Sequence, residues 1–326
     1  MLRYLAKRFA YYVVLLVVSI FLAYWLASAA LNPRSYFENK TPRPSAAAVD
    51  RQLTGLGIND HTPVVIRFGH WADGLAHGDL GRTIHDTSVN ADFGRRLWVS
   101  LRLLVVGSLL GTVLGVAAGA WGAVRQYRFS DRALTVFSFV VLSSPVFLIA
   151  LFLKNGAIAL NQSSGHQLIN FTGYETPGLT GGLGAHLADW GVHLLLPTIS
   201  LAVAGVATYS RYQRSTMLDV LGSDYLRTAE AKGLTRRQVL LKHGLRTAVI
   251  PMSTLFAYNI LGIFTGATFT EVIFGWHGMG EWFISSIYEN DVNAVVAVNL
   301  FTAVTILASG FLADTLHAAL DPRVRV

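Results

Sequence analysis

Ser309 and His317, with Gly310 beside the serine, are the closest this sequence comes to a nucleophile and its general base. On one helix eight residues make about two turns, or about 12 Å along the axis, too far for a hydrogen bond. His317 reads instead as a headgroup-level residue near a helix end. His61, His70, His77 and His85 offer imidazoles that a metal such as nickel accepts. Their irregular intervals lack the spacing that converges ligands, so they read as surface histidines. The chain has no cysteine, which removes thiolate chemistry and disulfides. It has no Gly-x-x-x-x-Gly-Lys-[Ser/Thr] run, the loop that cradles nucleotide phosphates. The expectation is a chain with no catalytic residue, no metal site and no cofactor of its own.

The elements that must position anything here are membrane helices. Hydrophobic residues make up 52% of the 326 positions and charged residues only 14%, against about 25% charged in a soluble chain. Six stretches are long and apolar enough to span a bilayer, about 20 residues each. They lie at about Phe9–Ala30, Leu103–Val124, Ala133–Leu153, Val192–Ser210, Thr247–Thr270 and Val292–Ala313. The net charge of +7 does not imply nucleic acid, because the basic residues sit between apolar spans rather than in one patch.

The lysines and arginines set the orientation. Arg3, Lys7 and Arg8 precede the first span, and Arg125, Arg128 and Arg132 follow the second. Eight basic residues from Arg211 to Arg246 follow the fourth, and Arg323 and Arg325 come after the sixth. Residues 155–210 and 247–322 carry no Lys or Arg at all. Both termini are therefore expected in the cytoplasm. The 31–102 segment contains several arginines but is long enough to escape the charge rule, and it reads as a small extracytoplasmic cap. Ala27-Ser28-Ala29 resembles a signal-peptidase site, yet the preceding apolar run exceeds the about 7–15 residues of a signal core. The expectation is a retained first span in 1–30, a cap in 31–102, and a five-span core in 103–326.

Within that core Gly107, Gly111, Gly115 and Gly119 recur at every fourth position, placing small residues on one helix face. That face reads as a packing seam, and Gly262 and Gly266 repeat the spacing. Pro145 and Pro197 interrupt the third and fourth spans. No ionisable residue falls in the middle of any predicted span, whereas proton- and ion-coupled carriers use one there. Asn259 and Asn299 are the main amides at depth; they read as interhelical glue and are the weak candidates for a substrate path.

The 211–246 loop is the most informative part. Gly222-Ser223 breaks the fourth helix, and Ser223 can cap a short helix reaching about Lys232. Gly233 supplies the left-handed residue that ends it. Thr235 and Gln238 have capping-box spacing, so a second helix leads into the fifth span. Such a rigid short helix suits docking in a partner's groove. It equally suits resting on anionic lipid as an amphipathic helix.

The run Arg211-Tyr212-Gln213-Arg214-Ser215, followed by Asp224-Tyr225-Leu226-Arg227-Thr228-Ala229-Glu230-Ala231-Lys232-Gly233-Leu234, resembles the coupling loop of the binding-protein-dependent ABC permeases. The Arg-Thr-Ala…Gly form is that of their dipeptide, oligopeptide and nickel branch. His243-Gly244-Leu245-Arg246 and Ile250-Pro251 continue the match. Gly266, Glu271, Phe274, Gly278, Gly280 and the ending Asp321-Pro322-Arg323 fit as well. Arg3-Tyr4, Lys7-Arg8 and Gly78-Asp79-Leu80-Gly81 are similar to the first, B-type permease of such systems. Glu230 departs from the family's usual basic residue, His277 from a common proline and Gly310 from a common asparagine.

The resemblance implies an all-α, type I importer-like permease of about six spans in the bacterial cytoplasmic membrane. It implies four kinds of partner: a second homologous permease, one or two ATPase subunits carrying ATP and Mg, an external substrate-binding protein, and lipid. Leu226, Thr228 and Ala229 would then enter a groove on the ATPase, with Arg227, Glu230, Ala231 and Lys232 around them and Gly233 setting the turn. Glu271 reads either as a solvated carboxylate on the outer face or as a contact to the binding protein. A peptide is the expected cargo. Nickel is the alternative within the family, and a secondary transporter the alternative outside it.

Overall fold

The computed structural model describes residues 2–320, with side chains for all of these except 2–5, 253–254, 257–266, 312–314 and 316–320. Asn259, Gly262, Gly266, His317 and the Asp321-Pro322-Arg323 ending fall outside the described residues or side chains. The chain begins with α1 (Leu2–Ala30), α2 (Pro33–Glu38), α3 (Ala46–Gly55) and α4 (Val64–Ala76). Then come α5 (Val89–Val124), α6 (Phe129–Ser143), α7 (Val146–Ser164) and α8 (Leu183–Leu221). The short α9 (Asp224–Ala231) and α10 (Arg236–Gln238) precede a π-helical turn over Val239–Gly244. The chain closes with α11 (Leu245–Phe274), α12 (Met279–Tyr288) and α13 (Val292–Leu320). Among the described residues there is no strand, only an isolated bridge between Arg82 and Ser88.

Five helices among the described residues are long and apolar enough to cross a membrane: α1, α5, α7, α8 and α13. The 30-residue α11 runs through the fifth expected span. The third expected span, Ala133–Leu153, is corrected. It divides at Ser144, whose extended backbone (φ −102°, ψ 135°) separates α6 from α7. Pro145 causes this, since its ring disfavours helical geometry in the residue before it. Spanning length is recovered by α7 continuing to Ser164. Pro197, by contrast, stays inside α8.

The re-placement of α7 also brings an ionisable residue inside a helix long and apolar enough to cross a membrane. Lys154 is the ninth of the 19 residues of α7. Its Nζ donates to the Ile273 carbonyl in the last turn of α11. That turn explains the lysine. The last four carbonyls of a helix lack intrahelical partners, and here each finds one. Trp276 N–H donates to Glu271 O (2.8 Å) and Gly275 N–H to Val272 O (3.3 Å), with Gly275 left-handed at φ +59°. Gly173 N–H donates to Phe274 O (2.9 Å), leaving Ile273 for Lys154. A cation at a helix C-terminus also meets the negative end of its dipole. Glu271 takes neither role expected of it: its side chain is only 1% exposed, so it is not presented at the surface.

The chain divides into two compact units. One joins Leu2–Leu101 to His277–Phe311; the other runs from Arg102 to Trp276 and adds residues from Leu312 onward. In the first, the 31–102 segment folds around short helices and is tied to the chain's other end. Asp291, 2% exposed, caps α13 through Ala294 N–H (3.0 Å) and also accepts from Ile84 N–H (2.8 Å). Asn293 donates to the carbonyls of Leu56 (3.0 Å) and Arg82 (2.8 Å). Arg34 forks onto Asp50 (2.7 Å) and Asp60 (2.6 Å). Tyr24 of α1 meets Phe68 and Trp71 of α4 at ring-centroid distances of 5.5 and 5.9 Å, which anchors the segment to the first span.

The second unit is organised on α8. The α5 glycines face it so closely that a Cβ has little room. One added at Gly111 would lie 3.2 Å from the Ala202 carbonyl oxygen and from the Gly205 Cα; at Gly115, 2.7 Å from the Tyr209 Cβ. At Gly119 it would collide with the Ser210 carbonyl oxygen, while Gly107 meets only the Leu201 side chain. The other faces of α5, with Val105, Leu109 and Val113, and of α1, with Val14, Val17 and Trp25, are exposed apolar surface suited to lipid.

Replacing Lys154 by Met keeps the aliphatic stem but orphans the Ile273 carbonyl. The expected cost is about 1–2 kcal/mol, measured as a lower unfolding temperature of the purified protein in detergent.

Candidate functional site

The second unit carries the helix–glycine–helix loop. Ser223 holds the extended backbone of an N-cap (φ −81°, ψ 144°), but its hydroxyl turns back to donate to Val220 O (2.5 Å) instead of capping α9. Eight residues later α9 stops, and Gly233 takes φ +89°. Thr235 and Gln238 then form a complete capping box: Gln238 N–H donates to Thr235 Oγ1 (3.4 Å), and Thr235 N–H donates to Gln238 Oε1 (2.9 Å). The helix so started passes through the π turn directly into α11. A π turn widens the helix by one residue, and Val239 and Gly244 of this one are buried.

Only one side of α9 is anchored. Leu226 is 4% exposed. Its Cδ1 and the Met217 Cε lie beside Gly244, where a Cβ would meet them at ordinary contact distances of 3.7 and 3.5 Å. The reading of Leu226 as a residue that enters a partner's groove is therefore corrected. On a helix of eight residues one apolar side chain must hold the element to its own chain, and Leu226 is that side chain. Around it, Arg227, Thr228, Glu230, Ala231, Lys232 and Gly233 are exposed and Ala229 is half-buried. Arg227 reaches Asp224 at 3.6 Å, and Thr228 Oγ1 donates to Asp224 O at 2.9 Å, so both polar groups are engaged along the helix itself.

Two features of this end were not assigned roles from sequence. Tyr225, 44% exposed, sets a large ring on the outward face of α9. Its signal was an aromatic residue in a short helix that also carries Asp224, Arg227, Thr228 and Glu230. The other is the ion pair of Asp131 with Arg214. The guanidinium donates twice, Nε to Oδ1 at 2.6 Å and Nη2 to Oδ2 at 2.8 Å, and Tyr127 N–H adds a third bond to Oδ2 at 2.9 Å. Asp131 is 2% exposed. Arg214 beside it, with the Tyr127 N–H, holds its carboxyl below the usual carboxylate range, against the opposing effect of burial. The pair fixes the start of α6 to α8, two turns before the chain breaks into α9. Asp131 is the only acidic residue between Arg125 and Arg132, which was the available signal.

Asn299, the described candidate for a substrate path, spends its amide on Val295 O of its own helix (3.0 Å). Two departures from the family pattern have local causes. His277 adopts φ +53°, which a proline ring forbids. Gly310 faces Tyr12, whose hydroxyl would lie 3.0 Å from any Cβ placed there, so an asparagine would displace the ring.

Residues 111–326 match the family described as binding-protein-dependent transport system inner membrane component. Over all 326 residues and the whole of the relative, the chain is 51% identical to the oligopeptide transport system permease protein OppB of Mycobacterium bovis. It is 34% identical to the oligopeptide transport system permease protein AppB of Bacillus subtilis, covering 87% of each chain. It is 32% identical to the dipeptide transport system permease protein DppB of Escherichia coli, covering 84% of each. Its fold is similar to that of a solved chain of the MetNI methionine ABC transporter in an inward-facing conformation. The TM-score is 0.53 at 16% identity, over 70% of this chain and 96% of that one.

Leu226→Ala is expected to cost about 2–3 kcal/mol of local stability and to speed amide hydrogen exchange across 224–231. Thr228→Ala, on the exposed side, should leave both within about 0.5 kcal/mol. Asp131→Asn strips the buried pair of its charge and should destabilise by about 2–3 kcal/mol. Adding Arg214→Gln should recover part of that loss, a coupling read from the thermal unfolding of the two single variants and the double variant.

Proposed function

The chain belongs to the family of binding-protein-dependent transport system inner membrane components, and on that premise we propose that it is one membrane-spanning half of an ATP-driven peptide importer. The identity of 51% across the full length of an oligopeptide permease carries this reading. The loop geometry supports it: a helix anchored by one buried leucine presents its other side chains outward and is continuous, through a glycine turn and a capped helix, with a span.

The exposed face of α9, with Tyr225, Arg227, Thr228, Glu230 and Lys232, docks in a groove of a partner ATPase. Ala229 and Ala231 keep that face low enough to approach, and Gly233 sets the turn. Leu226 makes the helix move as one piece with Met217 and Gly244. A short rigid helix can transmit displacement where a flexible loop cannot. When the ATPase subunits close on ATP and Mg, α9 shifts. The capped helix through the π turn carries the shift into α11, and the Asp131–Arg214 pair carries α6 with α8. A second, related permease completes the path, and an external binding protein delivers the peptide. Cytoplasmic placement of this loop follows from the basic residues clustered along 211–246.

Affinity purification of the chain from its native membrane in mild detergent should recover a second permease and ATPase subunits. Vesicles reconstituted with that assembly should take up labelled trialanine only with ATP, and vanadate but not an uncoupler should stop them. Recovery of this chain alone, with uptake that needs no ATP, would overturn the reading in favour of a secondary transporter.

A further inference from the structure

The first unit contains a cavity of ≈ 550 Å³ that the transport reading leaves without a role. It is lined by Arg67, His70 and Trp71 of α4 and by Asn59, Asp79 and Asn293, together with Arg82, whose guanidinium is already paired with Asp86 at 3.1 Å. Arg67 is the unusual member. It is 9% exposed, its Nε is buried with no hydrogen-bond partner, and its Nη1 donates only a long hydrogen bond to the Ile58 carbonyl (3.4 Å). Among the described residues no carboxylate comes within ion-pair distance of it. Buried charges in proteins are paired, because a desolvated guanidinium without an acceptor is strongly unfavourable. This one faces a cavity instead of a counter-ion.

The rest of the lining narrows what the counter-ion is. Asp79 borders the same cavity and is exposed, with Oδ1 accepting from Gly81 N–H at 2.9 Å. A simple anion would gain from Arg67 but be opposed by Asp79. A ligand carrying a carboxylate at one end and an ammonium at the other satisfies both. The side-chain amides of Asn59 and Asn293 are already committed to backbone carbonyls, at 3.4 Å to Asp50 O and 3.0 Å to Leu56 O, so they hold the walls and leave the charged pair to select. The volume falls within the about 300–1,000 Å³ typical of small-molecule sites, room for a short peptide.

We propose that this cavity binds a short zwitterionic peptide, its terminal carboxylate on Arg67 and its ammonium toward Asp79. The inference rests on the peptide-importer reading and adds to it a substrate contact outside the spans, in the 31–102 segment, which the orientation of the neighbouring spans puts on the side from which an importer is loaded. Arg67 is then a specificity residue: it sorts ligands by a free C-terminus and is not needed for ATPase coupling.

The test is calorimetric titration of the full-length protein in detergent micelles with trialanine, trialanine amide, N-acetyl-trialanine and acetate. Trialanine should bind, and the amide should bind at least tenfold more weakly. Arg67→Gln should reduce trialanine to the level of the amide without changing the amide, and Arg67→Lys should keep part of the preference. Asp79→Asn should remove the penalty for N-acetylation. The wild-type comparison of peptide with amide needs no variant, so a misfolded variant does not void the test. Equal binding of trialanine and its amide, no trialanine binding, a tenfold preference surviving in Arg67→Gln, or acetate competing as well as trialanine would each overturn the proposal. ATPase subunits still co-purifying in that event would leave the permease reading standing; their absence would count against that reading itself.

Discussion

In hydrocarbon there is no water to hydrogen-bond a free backbone group, so every helix end in a membrane protein needs a partner supplied by the protein. The end of α11 shows how much of the second unit follows from this. Its four terminal carbonyls take N–H groups from Trp276, Gly275 and Gly173 and the ammonium of Lys154. One requirement thus places a left-handed glycine, docks the loop at Gly173 against the helix, and explains a lysine halfway along α7. Burial in protein imposes the same requirement at the other unit's α13, where Asp291 supplies the N-terminal cap and ties Ile84 to it.

Close helix packing is the second constraint, and glycine meets it on α5. Without a hydrophobic drive between helices in lipid, contact must come from shape. Gly111 and Gly205 let the two backbones meet, and at Gly119 the Ser210 carbonyl leaves no room for a methyl group. The span so fixed carries Arg214, which holds Asp131, and then leads into α9. A connected path therefore runs from a packing seam through an ion pair to the helix–glycine–helix loop.

That loop divides its labour between one buried residue and several exposed ones. Leu226 and the Gly244 backbone hold α9 to its own chain and leave its other side chains exposed; on the proposed function this anchoring lets the exposed residues push or be pulled. Charged side chains at such a rim set registry and partner choice more than affinity. Glu230, the departure from the family's basic residue, lies on this rim.

Sequence alone determined the class of the molecule. Long apolar runs and basic residues on alternate loops were enough for an all-α protein with helices able to span a membrane. Capping residues act within a few positions, so the Thr235–Gln238 box and the Gly233 turn were legible too. The glycines at every fourth position on α5 were visible, though not the helix they meet. What sequence misplaced depends on contacts far along the chain. Pro145 was seen as an interruption, yet hydropathy could not show that the span restarts and brings Lys154 to mid-helix. Glu271 looked like an outer-face carboxylate because its burial is set by packing around the last turn of α11. Leu226 could have faced either way on a short helix until Met217 and Gly244 closed over it. Asp131 with Arg214, and Arg67 with no carboxylate beside it, are facts about neighbours up to 83 residues apart or absent altogether. Local pattern carries the period and the caps of a helix; only the tertiary structure decides which side chain is covered and what charge it meets there.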